Sequence, residues 1–205
     1  MRELISNRLF FLSFLLWNVL IGLSILIFPK GEAVLFFNSF YNGFFESTFA
    51  LITLFGEFYV GLLIGVFFLF YKRKKNLLPY LVSVLLNLLV IYLLKHKVFP
   101  HFDRPYAFFA DQIQYHQNIK INRQFSFPSG HTSAAFVFFT NLAFAFRDKP
   151  YAWTLIFPPI LVALSRVILA QHFLIDVFVG SWIGLSISLF SFFSLRIFVR
   201  HEKSN

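Results

Sequence analysis

Long apolar runs recur along the chain and are separated by short polar segments. The first run, Leu9 to Phe28, contains 20 residues without a charge. A helix needs about 20 mostly apolar residues to cross the hydrocarbon core of a bilayer. The pattern predicts six such helices, at 9–28, 48–71, 77–94, 129–146, 151–165 and 173–195. The expected fold is therefore all-α, a polytopic membrane protein with six transmembrane helices.

Composition supports a membrane protein over a soluble one. Hydrophobic residues make up 58% of the 205 positions and charged residues 13%, against roughly 45–50% and 25% in an ordinary soluble domain. A soluble chain of this size could not bury 33 phenylalanines in one core. The length suggests one domain over 1–205. The same composition argues against a disordered chain, a fibre or a disulfide scaffold.

Two further features narrow the class. The chain has no cysteine, which excludes thiol catalysis, disulfides and cysteine metal sites. The first apolar run could be mistaken for a signal peptide, but it is too long and ends in Phe28-Pro29-Lys30 without a small-residue cleavage site. We expect it to be an uncleaved helix.

The positive charges are unevenly divided between the two sides of the predicted bundle. The net charge is +9, which in a soluble domain would suggest nucleic acid; between apolar spans it indicates orientation, and no nucleic-acid partner is expected. The side with both termini carries 11 cations: Arg2, Arg8, Lys72, Arg73, Lys74, Lys75, Arg147, Lys149, Arg196, Arg200 and Lys203. The other side carries 7: Lys30, Lys95, Lys97, Arg104, Lys120, Arg123 and Arg166. The positive-inside rule places both termini in the cytoplasm.

Three polar segments fall on the predicted outer side, so one site there could collect them. The first, Lys97 to Pro105, follows the third span. The second, Pro128-Ser129-Gly130-His131, opens the fourth span. The third, Ser165 to Asp176, joins the fifth span to the sixth.

These segments carry the residues that a phosphate site needs. Lys97, Arg104 and Arg166 would repel one another in a low-dielectric setting unless an anion lay between them, and arginine can hold phosphate with two hydrogen bonds. Pro128 suits a helix start. Ser129 and Gly130 would then present free backbone N–H groups at a helix N-terminus, which is a ready anion site.

Histidines next to this site could perform the chemistry. His172 and Asp176 are four residues apart and share a helical face. The carboxylate can fix the imidazole tautomer, which leaves the other nitrogen free to attack phosphorus. His131 at the phosphate-binding turn could protonate the leaving oxygen.

Each segment taken singly has a plainer interpretation. Lys97 and Arg104 could be interfacial anchors, and Pro128-Ser129-Gly130 only a helix start. His172 and Asp176 could be a surface pair or two metal ligands. Glu57 lies inside a predicted span, where we expect it to pair with a cation of the site or to lie near the outer interface.

The pattern KxxxxxxRP, PSGH, SRxxxxxHxxxD resembles the type 2 phosphatidic acid phosphatase superfamily. All three blocks match in order and internal spacing within 97–176, and the span count resembles the integral-membrane branch. The resemblance implies His172 as the nucleophile that forms a phosphohistidine, Asp176 as its orienter and His131 as general acid. It implies phosphate binding by Lys97, Arg104, Ser129, Gly130 and Arg166. It also implies no metal or other cofactor, and a site at the outer (periplasmic) membrane face.

The sequence thus predicts a single transmembrane phosphatase domain that hydrolyses a lipid phosphate or pyrophosphate monoester. The substrate stays open among undecaprenyl pyrophosphate, phosphatidylglycerol phosphate, phosphatidic acid and lipid A phosphates. The short chain suggests a bacterial cytoplasmic membrane. Two alternatives remain: a lipid phosphotransferase that uses the same phosphohistidine, and a non-catalytic membrane transporter or lipid-phosphate-binding protein.

Overall fold

The chain folds into a bundle of helices. The computed structural model describes residues 7–71, 74–114 and 122–202, and within those ranges the regular elements are helices, with no strand. In chain order the α-helices are α1 (Arg8–Ile27), α2 (Glu32–Asn38), α3 (Gly43–Thr53), α4 (Phe58–Phe70), α5 (Leu77–Leu93), α6 (Pro105–Phe109), α7 (Gly130–Ala145), α8 (Phe157–Ile168) and α9 (Leu174–Glu202).

The six predicted spans coincide with helices, but they do not all have the length of a crossing. Four helical stretches in the described ranges are long and apolar enough to span a bilayer: Arg8–Ile27, Leu77–Val98, Pro150–Ile168 and Leu174–Leu195. The stretch from Pro150 begins as a 3-10 turn before α8, in keeping with its three prolines. The all-α membrane bundle is thus as predicted, whereas six crossings stay a prediction.

The predicted span 48–71 is two helices and not one. Helices α3 and α4 are separated by a 3-10 turn, Leu54–Gly56, and meet at 48°. The bend lies at Glu57, whose backbone is extended (φ −86°, ψ 156°). Taken together, the two helices would provide a fifth crossing.

Helix α7 is the centre of the bundle. It has 16 residues, of which 12 are buried, and at 1.5 Å per residue it is about 24 Å long, shorter than the hydrocarbon core. Its surroundings are other helices: Ser133 Oγ donates to Asn87 Oδ1 of α5 (2.5 Å), and Asn141 Nδ2 donates to Ser188 Oγ of α9 (3.2 Å). Polar side chains inside a membrane bundle are expected to bond between helices in this way.

Glycines allow α9 to approach the N-terminal half of α7 closely. A Cβ at Gly180 would lie 2.7 Å from the carbonyl oxygen of Ser129, and one at Gly184 would collide with that of Ser133. Small residues of this kind let membrane helices pack backbone to backbone. The approach brings the start of α9, and with it Asp176, to the start of α7.

The membrane orientation predicted from the charge count is not tested by the fold. Several of the counted cations lie outside the described residues, namely Arg2, Lys72, Arg73, Lys120 and Lys203, as do the side chains of Lys74, Arg196 and Arg200.

The side chains that would face lipid are large and apolar, with Leu16, Leu63 and Leu85 each more than half exposed.

Candidate active site

The nucleophile candidate and its carboxylate partner form a buried pair. His172 and Asp176 are each 1% exposed, and His172 Nδ1 lies 3.2 Å from Asp176 Oδ2. The same oxygen accepts hydrogen bonds from Ser126 Oγ (2.5 Å) and from the backbone N–H of Phe173 (3.0 Å). A carboxylate held in this way fixes the proton on Nδ1 and leaves Nε2 with a lone pair.

The end of α8 positions His172. Ala170 adopts a left-handed conformation (φ 51°), its N–H donates to the carbonyl of Val167, and the N–H of Gln171 donates to that of Arg166. This is the Schellman pattern of helix termination, formed here with alanine at the position that usually holds glycine. The N–H of His172 also donates to the Arg166 carbonyl (3.1 Å), so the nucleophile is attached directly to the helix that carries Arg166.

The start of α7 has the geometry of an anion site and is tied to the histidine pair. Ser129 is the N-cap, and its side chain accepts from the N–H of Thr132. The N–H of Ser129 donates to the backbone carbonyl of Asp176 (3.0 Å). Gly130 is the first residue of α7, and because it has no side chain, its backbone is not covered on the side next to Ile91. The N-terminal end of a helix attracts negative charge because its first N–H groups lack helical partners.

Two arginines reach the same place from different elements. Arg166 is 7% exposed; its Nη1 donates to Thr53 Oγ1 (3.0 Å), while its Nε has no hydrogen-bond partner. Arg104 donates from Nη1 to Gln171 Oε1 (3.0 Å), beside His172, and from Nε to the carbonyl of Gln124 (3.0 Å). A buried guanidinium N–H without a partner is costly unless a ligand accepts it.

The lysine that joins these arginines is Lys95, which the motif spacing did not select. Its Nζ donates to the carbonyl of Phe125 (2.7 Å) and feels the charges of Arg104, Arg166 and Asp176. Lys97 has an exposed side chain. Helix α5 ends in a π-helical turn, Leu94–Val98, and side chains two positions apart on a helix point about 200° away from one another. Only one of the two lysines can therefore face the site.

His131, the second residue of α7, is held by the carboxylate at the bend between α3 and α4. Its Nε2 lies 2.8 Å from Glu57 Oε1, and both side chains are about one-third exposed. The sequence led us to expect that Glu57 pairs with a cation of the site or lies near the outer interface; its partner in the structure is a histidine and neither an arginine nor a lysine.

The electrostatic environment keeps His172 neutral. This residue lies between the stretches Pro150–Ile168 and Leu174–Leu195. Burial, followed by the positive charges of Arg104, Arg166 and Lys95, holds the pKa of His172 well below its ordinary value. A neutral imidazole is the form that can act as a nucleophile.

The site thus contains most of the predicted residues together with several that the sequence did not indicate. The structure brings together His131, His172, Asp176, Ser129, Gly130, Arg104 and Arg166, whereas the side chain of Lys97 is exposed. No sequence pattern indicated Ser126, Thr53 or Gln171, because each acts by a side-chain contact between distant parts of the chain. Within the described ranges, no three histidine or acidic side chains are grouped as metal ligands would be.

Comparisons with known proteins identify the family of the chain. The family model of the PAP2 superfamily matches residues 76–198, a segment that contains all three motif blocks. A lipid A 4'-phosphatase of Porphyromonas gingivalis is 33% identical over 133 residues, which cover 61% of this chain and 55% of that protein. The chain therefore spans about half the length of this curated relative.

Two solved structures share the fold. The crystal structure of Aquifex aeolicus LpxE superposes with a TM-score of 0.70 at 25% identity, covering 82% of this chain and 98% of that one. A transmembrane PAP2-type phosphatidylglycerolphosphate phosphatase of Bacillus subtilis superposes with a TM-score of 0.63 at 23% identity, covering 94% and 97%.

The two lysines at the end of α5 should differ in anion binding. Lys95→Gln should weaken the binding of inorganic phosphate by about tenfold or more, because a charge-assisted hydrogen bond contributes about 1.5–3 kcal/mol. Lys97→Gln is the matched control and should change the affinity by less than about threefold, as for an exposed charge. Isothermal titration calorimetry on detergent-purified protein measures both. A larger loss in Lys97→Gln would return the phosphate-binding role to Lys97.

Proposed function

Because the chain belongs to the PAP2 superfamily, we propose that this multi-pass membrane protein removes phosphate from a membrane lipid through a phosphohistidine on His172. The observation that carries the proposal is the buried His172–Asp176 pair beside Arg166, whose Nε lacks a partner. A nucleophile with a fixed tautomer and a guanidinium group with an unused donor are the complementary requirements for phosphoryl transfer.

In the first step Nε2 of His172 attacks phosphorus as the bond from phosphorus to the lipid oxygen breaks. Asp176 accepts the Nδ1–H bond and stabilises the positive charge that develops on the ring. His131 gives a proton to the departing lipid oxygen. The lipid leaves as an alcohol, or as a monophosphate if the substrate is a pyrophosphate.

In the second step water attacks the phosphorus of phosphohistidine, and the nitrogen–phosphorus bond breaks. His131, now neutral, takes a proton from that water. Inorganic phosphate leaves, and both histidines return to their starting forms. The balance requires water and no oxidant, reductant or second cofactor.

The phosphoryl oxygens are held by positive charges and by backbone donors. We assign this role to Arg104, Arg166 and Lys95, with the backbone N–H of Gly130; the N–H of Ser129 is already bonded to the carbonyl of Asp176. Their charges stabilise the equatorial oxygens in an in-line transfer, the work that metal ions do in many other phosphoryl-transfer enzymes. Lys97, which the motif spacing indicates, has an exposed side chain, and this favours Lys95.

The lipid A phosphates are the first substrates to test. The relative from Porphyromonas gingivalis is named a lipid A 4'-phosphatase, and the groups at the site recognise a phosphate and not a particular lipid. Undecaprenyl pyrophosphate, phosphatidylglycerol phosphate and phosphatidic acid complete the panel. We place the protein in a bacterial cytoplasmic membrane, with cytoplasmic termini and a periplasmic site, on the charge count and the bacterial relatives.

The first functional prediction is phosphate release without a metal. Detergent-purified protein in EDTA should release inorganic phosphate from at least one lipid of the panel, because the cations at the site replace a metal. His172→Ala should lose about 10³-fold or more in kcat, as expected when a covalent nucleophile is removed. His101→Ala removes an exposed histidine and should leave the rate unchanged.

Other outcomes would redirect the proposal. Phosphate that appears on an added lipid acceptor, and not in solution, would indicate a phosphotransferase. Lipid binding without turnover, by protein that is shown to be folded, would indicate a transporter or binding protein. Full activity in His172→Ala would contradict the nucleophile assignment.

The second functional prediction concerns pH. A histidine with the ordinary pKa of about 6.5 would be about tenfold less available as a nucleophile at pH 5.5 than at pH 7.5. Since the pKa of His172 lies well below its ordinary value, phosphoenzyme formation should remain nearly constant over that range. The measurement is the burst rate with an aryl phosphate that needs no leaving-group proton, corrected for ionisation of the substrate. A tenfold fall in this rate would contradict the burial argument.

A further inference from the structure

A carboxylate occupies an unusual position inside the second predicted span. Glu57 lies where α3 and α4 meet at 48°, and its extended backbone interrupts the helix. Ionisable side chains are costly within a bilayer and are found there mainly where they have a function. The mechanism derived from the family motifs gives Glu57 no role.

Three residues of this bend contact the candidate site. Thr53 accepts a hydrogen bond from the buried Arg166 (3.0 Å). A Cβ at Gly56 would lie 2.7 Å from the backbone oxygen of His131, so the bend packs directly against the start of α7. Glu57 Oε1 lies 2.8 Å from His131 Nε2. The bend is therefore built against the proton-transfer histidine and its neighbouring arginine.

We propose that Glu57 is a positioning residue for His131, and that the bend between α3 and α4 presents its carboxylate to that imidazole. The inference rests on the proposed function and extends it, because it assigns the group that keeps the leaving-group proton available. No motif block contains Glu57.

The proton can be followed atom by atom. In the protonated ring of His131, Nε2–H donates to Glu57, and the proton on Nδ1 is the one given to the lipid oxygen. After transfer the ring is neutral, Nε2–H is still held, and Nδ1 has a lone pair for the proton of the attacking water. Asp176 holds Nδ1 of His172 and leaves Nε2 to react; Glu57 holds the opposite nitrogen of His131.

The charges around His131 explain why a carboxylate is needed there. Arg166 from α8 and Arg104 from the N-terminus of α6 both act on its ring, and His131 in turn acts on His172. Positive neighbours disfavour a further positive charge. Glu57 contacts His131 as a negative group that counters part of this repulsion, and its charge also reaches Arg166 and Tyr59 of α4.

The choice of leaving group separates this role from a structural one. A lipid alkoxide or sugar oxygen leaves poorly unless it is protonated, so its departure depends on His131. Nitrophenolate leaves without a proton, so the formation of the phosphoenzyme from 4-nitrophenyl phosphate should bypass the proton transfer that Glu57 supports. A variant that merely disturbed folding would slow both substrates alike.

The experiment compares Glu57→Gln with the wild type in EDTA across a pH series, on the preferred lipid phosphate and on 4-nitrophenyl phosphate. Glutamine keeps the size and one acceptor but removes the charge. Glu32→Gln changes an exposed carboxylate of α2 and is the matched control. Glu57→Asp shortens the reach by one carbon, and Glu57→Gln in a His131→Ala background tests the coupling.

With the lipid, Glu57→Gln should move the alkaline limb of the kcat profile about one pH unit lower, because the partner charge that favours protonated imidazole is lost. The shift should be no larger, because both side chains of the pair are partly exposed. Above that limb kcat should fall about tenfold. With 4-nitrophenyl phosphate the burst rate of phosphoenzyme formation should change by less than about twofold, because that step needs no leaving-group proton. Glu57→Asp should recover part of the loss, and the coupled variant should show no further loss.

Equal losses on both substrates without movement of the limb would overturn the proposal, as would a Glu57→Gln enzyme with unchanged lipid kinetics. If the wild type neither released phosphate nor formed a phosphoenzyme, the proposed function would fail and this inference with it. A wild type that forms the phosphoenzyme, beside an unaffected Glu57→Gln, would overturn this inference alone.

Discussion

The site depends on one constraint, which is the mutual repulsion of its cations in an environment that contains little water. Arg166 is 7% exposed, and Arg104 and Lys95 act electrostatically on the same histidine. In a low-dielectric environment such charges separate unless the backbone fixes them. Here each sits at the end of an element: Arg166 in the last turn of α8, Arg104 at the N-terminus of α6 and Lys95 in the π-helical turn after α5. We propose that a bound dianionic phosphate offsets this repulsion, which would make the cluster selective for the group that the chemistry must hold.

The helix ends that collect the cations also set the reacting histidines. The Schellman pattern that ends α8 attaches His172 to the carbonyl of Arg166. The backbone bond from Ser129 to Asp176 ties the start of α7 to the start of α9, and Gly180 permits the approach. Each histidine then has a carboxylate on one nitrogen, Asp176 for His172 and Glu57 for His131. We propose that these two pairs orient the nucleophile and the general acid, each through one ring nitrogen.

The sequence predicted those parts of the molecule that local rules govern. Apolar runs located the helices, because a spanning helix must be apolar over its length. The spacing of His172 and Asp176 predicted their pairing, because an i,i+4 pair shares a face. Lys95, which we propose in place of Lys97, could not be selected from the sequence, because motif spacing takes no account of the π-helical turn that carries both lysines. Ser126 and Thr53 could not be found, since each bonds a side chain far away in the sequence. Glu57 was suspected because it is charged within a span, but its partner lies 74 residues away.

The central claim is that phosphate passes through His172, and the most direct measurement is to trap it there. Purified protein would be mixed in EDTA with a phosphate-labelled substrate, quenched within milliseconds at alkaline pH, where phosphohistidine survives, and digested for mass spectrometry. The account predicts phosphate on the peptide that carries His172, with no label in His172→Ala and a retained or stronger signal in His131→Ala with an aryl phosphate. Label on another residue, or steady turnover with no phosphoenzyme at any quench time, would contradict it.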